Sequence, residues 1–229
     1  MADSPKIFPL GDNCVTVDFG NELSIELNNK AISLAKYFTN TPFPGFIEAV
    51  PAYSSLSIFY SVIDVRQSFS EFITAFAAIK WLVQASLQYP DEILKVETRS
   101  IEIPVDFSDH AALDINFIAE HGDMPPADVI DLFTSTTYRV YMLGFLPGFA
   151  YMGDVDQRIA VPRKDSPRTK VPKGSVGIAS RQTGIYPLES PGGWQIIGQT
   201  NLDLFSPNSD SPCLLAPGDE VHFVPVIRL

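Results

Sequence analysis

Apolar and polar positions follow two different periods in the first half of the chain. Residues 14–19 alternate apolar and polar side chains, and residues 56–63 are rich in β-branched and aromatic ones, so both segments predict strands. Residues 28–39 repeat apolar side chains at close to helical spacing, which predicts a helix. We expect this half to alternate short strands with helices in a β-α-β-β-α-β order.

The longest helix is predicted over residues 69–88. Ser68 and Glu71 have the spacing of a capping box, in which each side chain accepts a hydrogen bond from a free backbone amide. An apolar stripe follows at helical spacing, formed by Phe72, Phe76, Ile79 and Val83. Together with the strands, this helix predicts a small α/β domain of the ferredoxin-like, split β-α-β kind.

The polar segment 89–99 carries a helix-stopping proline near its start and precedes a strand-like run over residues 101–107. We place the domain boundary in this segment. The predicted amino-terminal domain covers residues 1–98, and the second domain covers residues 99–229.

The second domain is predicted to begin with helices and to continue as β-structure. Helical segments cover residues 110–121 and 126–133, and from Tyr138 onward short β-type runs are separated by turn residues. Residues 144–229 hold ten of the fourteen Gly and ten of the nineteen Pro, which is typical of a barrel or sandwich. The predicted fold class is therefore α+β.

Composition places the chain among ordinary globular proteins, with 45% hydrophobic and 19% charged residues in 229. A formal net charge of −11 argues against nucleic acid and anionic membranes as partners. Two cysteines, Cys14 and Cys213, are too few for a disulfide framework and lack metal-site spacing, which indicates a reducing compartment. No secretory signal or membrane-spanning run is visible, so we expect a cytoplasmic protein.

No self-contained catalytic motif is visible. The chain lacks the phosphate loop, G-x-G-x-x-G, H-E-x-x-H, C-x-x-C and G-x-S-x-G patterns. His110, His121 and His222 fall in separate predicted elements, so we expect them to be structural or surface residues and we expect no metal site. The residue that performs chemistry is not identified.

Basic residues concentrate in one proline-stiffened segment. Residues 158–181 hold seven of the sixteen Lys and Arg residues against the single acid Asp165, so this segment carries +6 and the rest of the chain −17. Arg163 and Arg168 are each able to hold a carboxylate or phosphate with two donors. The alternative is a solvated loop that keeps the surface soluble.

Two further segments flank this loop in the sequence. In segment 144–153 the aromatic residues Phe145, Phe149 and Tyr151 occupy alternating positions. Their rings form either one side of a groove or the plug of a barrel end. In 182–194 neutral hydrogen-bonding side chains precede a Gly-Gly pair that presents Trp194 from a tight turn. Together the three segments suit a small anionic amide or a bound peptide.

The same segments resemble one known family. The motifs GFLPGFAYMG, PRKDSPRTKVPKGSVGIASRQTGIYP, SPGGWQIIGQT and LLAPGDEVHFVP are similar to those of the family that contains the B-type subunit of 5-oxoprolinase, the KipI-type inhibitor of a sporulation histidine kinase and subunit 1 of allophanate hydrolase. The resemblance extends over nearly the whole chain. It implies a small α/β domain followed by a cyclophilin-like β-barrel domain.

Carried over residue by residue, the resemblance marks a groove for substrate or partner and the turns that shape it. We expect Arg163 and Arg168 to bind an anionic group, and Ser175 and Gln182 to bind an amide. The predicted groove residues are Phe145, Phe149, Tyr151, Arg163, Arg168, Ser175, Gln182, Thr183, Tyr186, Ser190 and Trp194. The predicted structural turns are Pro147, Gly148, Gly174, Gly184, Pro191, Gly192 and Gly193.

For function, the resemblance implies the B-type subunit of a heteromeric 5-oxoprolinase, which opens the lactam of 5-oxoproline to give glutamate. The partners would be A-type and C-type subunits, and ATP would be used by the complex because this chain has no nucleotide motif. The chain would be inactive alone. The alternatives are subunit 1 of an allophanate hydrolase and a non-catalytic inhibitor of a sensor histidine kinase, with cyclophilin-type prolyl isomerase activity as a weaker third.

The chain departs from the family pattern at one position. Relatives commonly have Leu-His followed by a small polar residue where this chain has Leu132-Phe133-Thr134. Phe133 cannot exchange a proton, so any proton transfer by that histidine is lost here. A packing histidine replaced by Phe is the harmless alternative.

Overall fold

A computed structural model of the chain describes residues 4–88 and 97–226. The chain divides into two compact units, Met1–Glu97 and Thr98–Leu229. The boundary predicted from the sequence falls one residue later. Among the described residues, no helix combines the length and the apolar character that a membrane span requires.

The first unit is a four-stranded antiparallel sheet with helices packed on one face. The strands lie in the order β1-β2-β4-β3. Its core joins Val15, Val17, Leu56 and Ile58 of the sheet to apolar side chains of three helices. The elements in chain order are β1 (Lys6–Pro9), β2 (Cys14–Asp18), α1 (Ile25–Asn40), β3 (Phe46–Pro51), β4 (Ser55–Tyr60), α2 (Val62–Ser68) and α3 (Ala75–Ser86).

The strand predicted over 14–19 and the helix predicted over 28–39 are confirmed as β2 and α1. The strand predicted over 56–63 is confirmed as β4 up to Tyr60, but Val62 and Ile63 belong to α2. The order of elements differs from the prediction. The described residues of this unit run β-β-α-β-β-α-α, with an additional first strand that pairs with β2. The ferredoxin-like prediction is therefore not confirmed.

The single helix predicted over 69–88 is wrong. Residues 62–86 form two short helices, and Ser68 is the last residue of α2. Helix α3 begins after Thr74, whose side-chain oxygen accepts a hydrogen bond from the Ala77 amide at 3.1 Å. Between the helices, Phe69 and Phe72 pack against the core from a turn, so tertiary burial overrides the capping-box pattern. Most of the polar segment that follows, residues 89–96, lies outside the described residues.

The second unit is built on a seven-stranded sheet that curls into a nearly closed barrel, as predicted for this half. The strands lie in the order β12-β9-β10-β7-β6-β13-β5, and β8 pairs with β11 in a separate ribbon. The elements are β5 (Ser100–Val105), α4 (Ile115–His121), α5 (Pro126–Thr134), β6 (Thr137–Leu143), β7 (Ala150–Gly153), β8 (Arg168–Val171), β9 (Ser175–Ala179), β10 (Gln182–Ile185), β11 (Ser190–Gly192), β12 (Gln195–Gln199) and β13 (Glu220–Pro225).

Two backbone hydrogen bonds bring the edges of the barrel sheet together. Asp106, just after β5, donates its amide to the Gln199 carbonyl oxygen at 2.8 Å and accepts from the Gln199 amide at 3.0 Å. A barrel leaves few unpaired strand edges, which protects the sheet from pairing with other chains. Neighbouring strands are antiparallel except β13 and β5, which are parallel.

Helix α4 is shorter than predicted. The prediction covers residues 110–121, but the helix begins at Ile115 because the residues before it form turns. The Asp114 amide donates to the Ile196 carbonyl oxygen of β12 at 2.8 Å, so the chain is fixed to the barrel before the helix starts. Helix α5 covers the segment predicted as 126–133 and extends one residue further, to Thr134.

Candidate functional site

A tight turn between β6 and β7 carries one wall of the site. Phe149 donates its backbone amide to the Leu146 carbonyl oxygen at 2.9 Å, which closes the turn. Gly148 lies at φ +82°, and a Cβ at this position would stand 2.8 Å from the Leu204 carbonyl oxygen. The turn therefore requires glycine. It leaves Phe145 exposed and buries Phe149.

Phe149 is the centre of an aromatic cluster. Its ring meets four others edge to face, with centroid distances of 5.5 Å to Phe145, 4.9 Å to Tyr151, 5.4 Å to Tyr186 and 5.5 Å to Trp194. Edge-to-face pairs contribute about 0.5–1.5 kcal/mol each beyond their buried area. These contacts hold the rings in fixed orientations.

Strand β11 lies directly against one of these rings. A Cβ on Gly192 would stand 2.8 Å from the Tyr186 ring, so the missing side chain allows the strand to approach it. A Cβ on Gly193 would meet nothing closer than 3.6 Å. The Gly-Gly pair thus serves close packing at its first position, and neither residue has the positive φ that the sequence permits.

The aromatic cluster and the β8–β11 ribbon enclose a pocket of about 230 Å³. Six predicted groove residues meet there with residues of the flanking turns. The lining consists of Phe145, Phe149, Tyr151, Arg163, Pro167, Tyr186, Pro191, Gly192, Gly193 and Trp194. The pocket is therefore apolar and aromatic with one basic side chain.

Arg163 supplies the only charge in the lining of this pocket. Its guanidinium carbon stands 5.8 Å from the centroid of the Trp194 ring, a cation–π contact. Burial raises the pKa of Tyr186 above its ordinary value, while a backbone hydrogen bond from Trp194 and the charge of Arg163 act in the opposite direction. The Tyr186 phenol is accordingly neutral at physiological pH.

Arg163 differs from the other basic residues of segment 158–181. The other six each have a carboxylate within 4.0 Å. Among the described residues, no such partner is found for Arg163. The pairs are Arg158 with Asp156, Lys164 and Arg168 with Asp114, Lys170 with Glu189, Lys173 with Asp203, and Arg181 with Asp154.

Arg168 does not line the pocket, in contrast to the prediction that it binds an external anion. Its two terminal nitrogens donate to the buried Asp114 carboxylate at 2.8 and 2.7 Å. Lys164 and the Ile196 amide also donate to Asp114, at 3.3 and 2.6 Å. Burial alone would raise the pKa of Asp114, but these hydrogen bonds and positive charges lower it overall. The Arg168 guanidinium is thus already bound to a carboxylate of the protein itself.

Four other predicted groove residues also lie away from the pocket lining. Thr183 is buried and donates its hydroxyl to the Gly177 carbonyl oxygen at 3.0 Å. The Ser190 hydroxyl donates to the Pro191 carbonyl oxygen at 3.2 Å. Ser175 is buried at the start of β9, and Gln182 begins β10. Ser175, Thr183 and Gln182 lie on strands of the barrel sheet, and Ser190 lies in the β8–β11 ribbon.

The predicted structural turns divide into real turns and strand positions. Gly148 and Gly174 have positive φ, +82° and +80°, as tight turns require. Pro147 lies in the same turn as Gly148, and Pro191, Gly192 and Gly193 form the ribbon edge of the pocket. Gly184 is inside β10 and is not a turn. A Cβ there would stand 2.8 Å from the Phe149 ring, so Gly184 makes room for the aromatic cluster.

Phe133 lies in the barrel core. It is fully buried, stacks on Phe223 at 4.9 Å and contacts the Tyr138 ring at 5.0 Å. Phe133 is not part of the pocket lining. Its surroundings give this position a packing role in this chain.

No metal centre is found among residues 4–88 and 97–226, in which no three His, Cys, Asp or Glu side chains converge. His110 contacts Ser108 at 3.0 Å, and His222 lies 3.3 Å from the Thr137 hydroxyl.

Two residues at or beside the site, Asp114 and Pro167, are not among the residues predicted from the sequence. Asp114 falls inside the helix predicted over 110–121, where an acid between Leu113 and Ile115 looks like a surface residue. Its partner Arg168 is 54 positions away, so no local pattern signals the pair. Pro167 stiffens the basic loop and belongs to a motif of the family, but it is not among the predicted groove residues, although it lines the pocket.

Comparison with known proteins shows the class to which this fold and pocket belong. The family model of the carboxyltransferase domain, subdomain C and D, matches residues 5–215. The crystal structure of TTHA0988 superposes with a TM-score of 0.78 at 32% identity, covering 94% of this chain and 40% of that chain. The chain thus spans about two fifths of the length of TTHA0988. This chain, which has a nearly closed β-barrel, therefore belongs to the family of the carboxyltransferase domain, subdomain C and D.

Two relatives with assigned functions show which members of this family the chain resembles. The B-type 5-oxoprolinase subunit of Bacillus subtilis (strain 168) is 43% identical over 96% of this chain and 92% of its own length. Urea amidolyase of Lachancea kluyveri is 26% identical over 97% of this chain but only 13% of its own length. The chain belongs to the family of B-type 5-oxoprolinase subunits.

Proposed function

We propose that this chain is the B-type subunit of a heteromeric, ATP-dependent 5-oxoprolinase that opens the lactam of 5-oxoproline to give glutamate. One observation carries the proposal: the 43% identity to a curated B-type subunit extends over nearly the full length of both chains. The pocket supports it, because one arginine beside apolar rings suits a small anionic ring compound. The chain acts in the cytoplasm, with A-type and C-type subunits.

In this proposal the chain binds and orients, and partner subunits supply what it lacks. This chain has no nucleotide motif, so we expect another subunit of the complex to bind ATP. Its lining holds no carboxylate, histidine or cysteine to act as a general base or nucleophile. We therefore expect the chain to be inactive alone.

The test is ATP-dependent release of glutamate from 5-oxoproline. Three samples are compared: this chain alone, the A-type and C-type subunits without it, and all three together, each shown to be folded by circular dichroism. We expect glutamate only in the full mixture. Equal activity without this chain, or no activity in the full mixture, would overturn the proposal.

A second substrate is tested in the same mixtures, because a urea amidolyase aligns with 97% of this chain. Allophanate, like 5-oxoproline, is a small anion that bears an amide. Ammonia release from allophanate without glutamate release from 5-oxoproline would assign the chain to urea-degrading chemistry. If neither substrate is hydrolysed, inhibition of a sensor histidine kinase becomes the proposed function. It is tested by measuring whether this chain reduces autophosphorylation of the kinase.

A further inference from the structure

The charge pattern around the pocket singles out one cation. Six of the seven basic residues in segment 158–181 are ion-paired within the protein, and Arg163 has no such partner among the described residues. Arg163 is also the one that lines the pocket, over the Trp194 ring. An arginine fork without a carboxylate, at the edge of a concave surface, is suited to an external anion.

The rest of the lining limits what that anion can be. The walls are aromatic rings, prolines and glycines, so the part of the ligand next to the anion must be apolar on its faces. The pocket volume of about 230 Å³ is below the range of about 300–1,000 Å³ that is typical of pockets for drug-sized ligands, which favours a small ligand. An inorganic anion leaves the rings without a partner.

The rings are held in place before any ligand arrives. Phe149 is fixed by four edge-to-face neighbours, and Tyr186 is fixed between Phe149 and the backbone of Gly192. The loop that carries Arg163 is anchored on its far side by Arg168 and Lys164, which both bind Asp114. A preformed site of this kind loses little entropy when it binds a small molecule.

We propose that this pocket binds a small ring compound that carries a single carboxylate, with the carboxylate on Arg163 and the ring among Phe149, Tyr186 and Trp194. The choice of 5-oxoproline as the compound of this class rests on the proposed function. The binding itself belongs to this chain alone and needs neither ATP nor a partner subunit.

The experiment uses the full-length chain with ¹⁵N-labelled tryptophan. The chain has two tryptophans, so Trp194 reports on the pocket and Trp81 in α3 is the internal control. 5-Oxoproline is titrated beside pyrrolidin-2-one, which is the same ring without the carboxylate, and beside acetate. We expect 5-oxoproline to move the Trp194 indole resonance in a saturable way and to leave Trp81 in place. Equal affinity for pyrrolidin-2-one would overturn the proposal.

Two variants test the role of Arg163. Arg163→Gln is expected to weaken 5-oxoproline binding at least tenfold, because a charge-assisted hydrogen bond is lost. Its affinity for pyrrolidin-2-one should not change. Arg158→Gln is the matched control, since Arg158 lies in the same segment but is paired with Asp156. Unchanged 5-oxoproline affinity in Arg163→Gln, with both variants folded, would refute the proposal.

A second pair of variants tests the place of binding without touching a charge. Gly192→Ala puts a methyl group against the Tyr186 ring, whereas Gly193→Ala meets nothing closer than 3.6 Å. We expect Gly192→Ala to reduce the Trp194 response and Gly193→Ala to keep it. The same response in both folded variants would show that the ligand binds outside this pocket.

Different results would overturn the binding site and the proposed enzyme function. Binding of 5-oxoproline by the isolated chain, without glutamate release in the full mixture, would keep the site and reject the enzyme. Glutamate release with unchanged kcat and KM for Arg163→Gln would keep the enzyme and reject the site.

Discussion

At the scale of single residues, Asp114 decides which arginine is available. It accepts hydrogen bonds from Arg168, Lys164 and the Ile196 amide, and its side chain is only 6% exposed. A buried carboxylate needs this many donors to remain charged. The consequence is that Arg168 is held inside the protein and Arg163, five residues earlier in the chain, is left at the pocket.

Removing the Asp114 charge should destabilise the protein and flatten its response to acid. The pKa of Asp114 is lowered in the folded state. Its stabilising effect is therefore present above the ordinary carboxyl pKa and is lost as the pH falls below it, through the folded value. We expect Asp114→Asn to lower the free energy of unfolding by about 3 kcal/mol at pH 7, because Arg168 is left unpaired.

The measurement is urea unfolding between pH 7 and pH 3. The matched control is Asp203→Asn, which breaks the exposed pair with Lys173 and should leave stability unchanged. If the free energy of unfolding of Asp114→Asn fell with acid as steeply as that of the wild type, the role assigned to Asp114 would be contradicted.

At the scale of elements, helix ends and strand edges are the least predictable features. The break between α2 and α3 follows from Thr74, which caps α3, and from the burial of the intervening turn. The sequence offers a second capping pattern at Ser68, and local chemistry does not distinguish the two. Packing of Phe69 and Phe72 against the core decides between them.

The cap at Thr74 gives a direct prediction. Thr74→Ala removes the acceptor for the Ala77 amide and should lower the free energy of unfolding by about 1 kcal/mol. Ser68→Ala, at the end of α2, is the control and should change it by less than a few tenths. The free energies come from urea denaturation followed by circular dichroism. A larger loss of free energy of unfolding in Ser68→Ala than in Thr74→Ala would support the single long helix predicted from the sequence.

At the scale of the whole molecule, each unit has its own core. The core of the second unit runs from Ile103 to Phe223, and the pocket lies wholly between Phe145 and Trp194. A unit with a separate core is able to fold by itself. All the lining residues of the pocket therefore belong to the second unit.

We expect a fragment of residues 98–229 to fold and to keep the pocket. The fragment should unfold in one cooperative urea transition, and its Trp194 indole should respond to 5-oxoproline as in the full chain. Arg163→Gln in the fragment is the control and should lose the response. A fragment that folds but does not bind would show that the first unit contributes to the site.

The larger features of this protein are readable from the amino-acid sequence. Period-two and helical patterns predict β2, β4, α1 and α5, and the concentration of Gly and Pro after residue 144 predicts the barrel half. The motifs between 144 and 225 lead to the family. These features are local, since each depends on residues that are neighbours along the chain.

The composition of the site, in contrast, depends on contacts made only in the folded chain. Arg163 and Arg168 are equivalent in the sequence, and they differ because Asp114 reaches one of them from 54 positions away. The inward turn of Thr183 and the close approach of Gly192 to Tyr186 likewise depend on strand pairing. The free charge of Arg163 and the open pocket depend on how groups distant in the sequence pair and pack in the folded chain. A local sequence pattern does not contain that information.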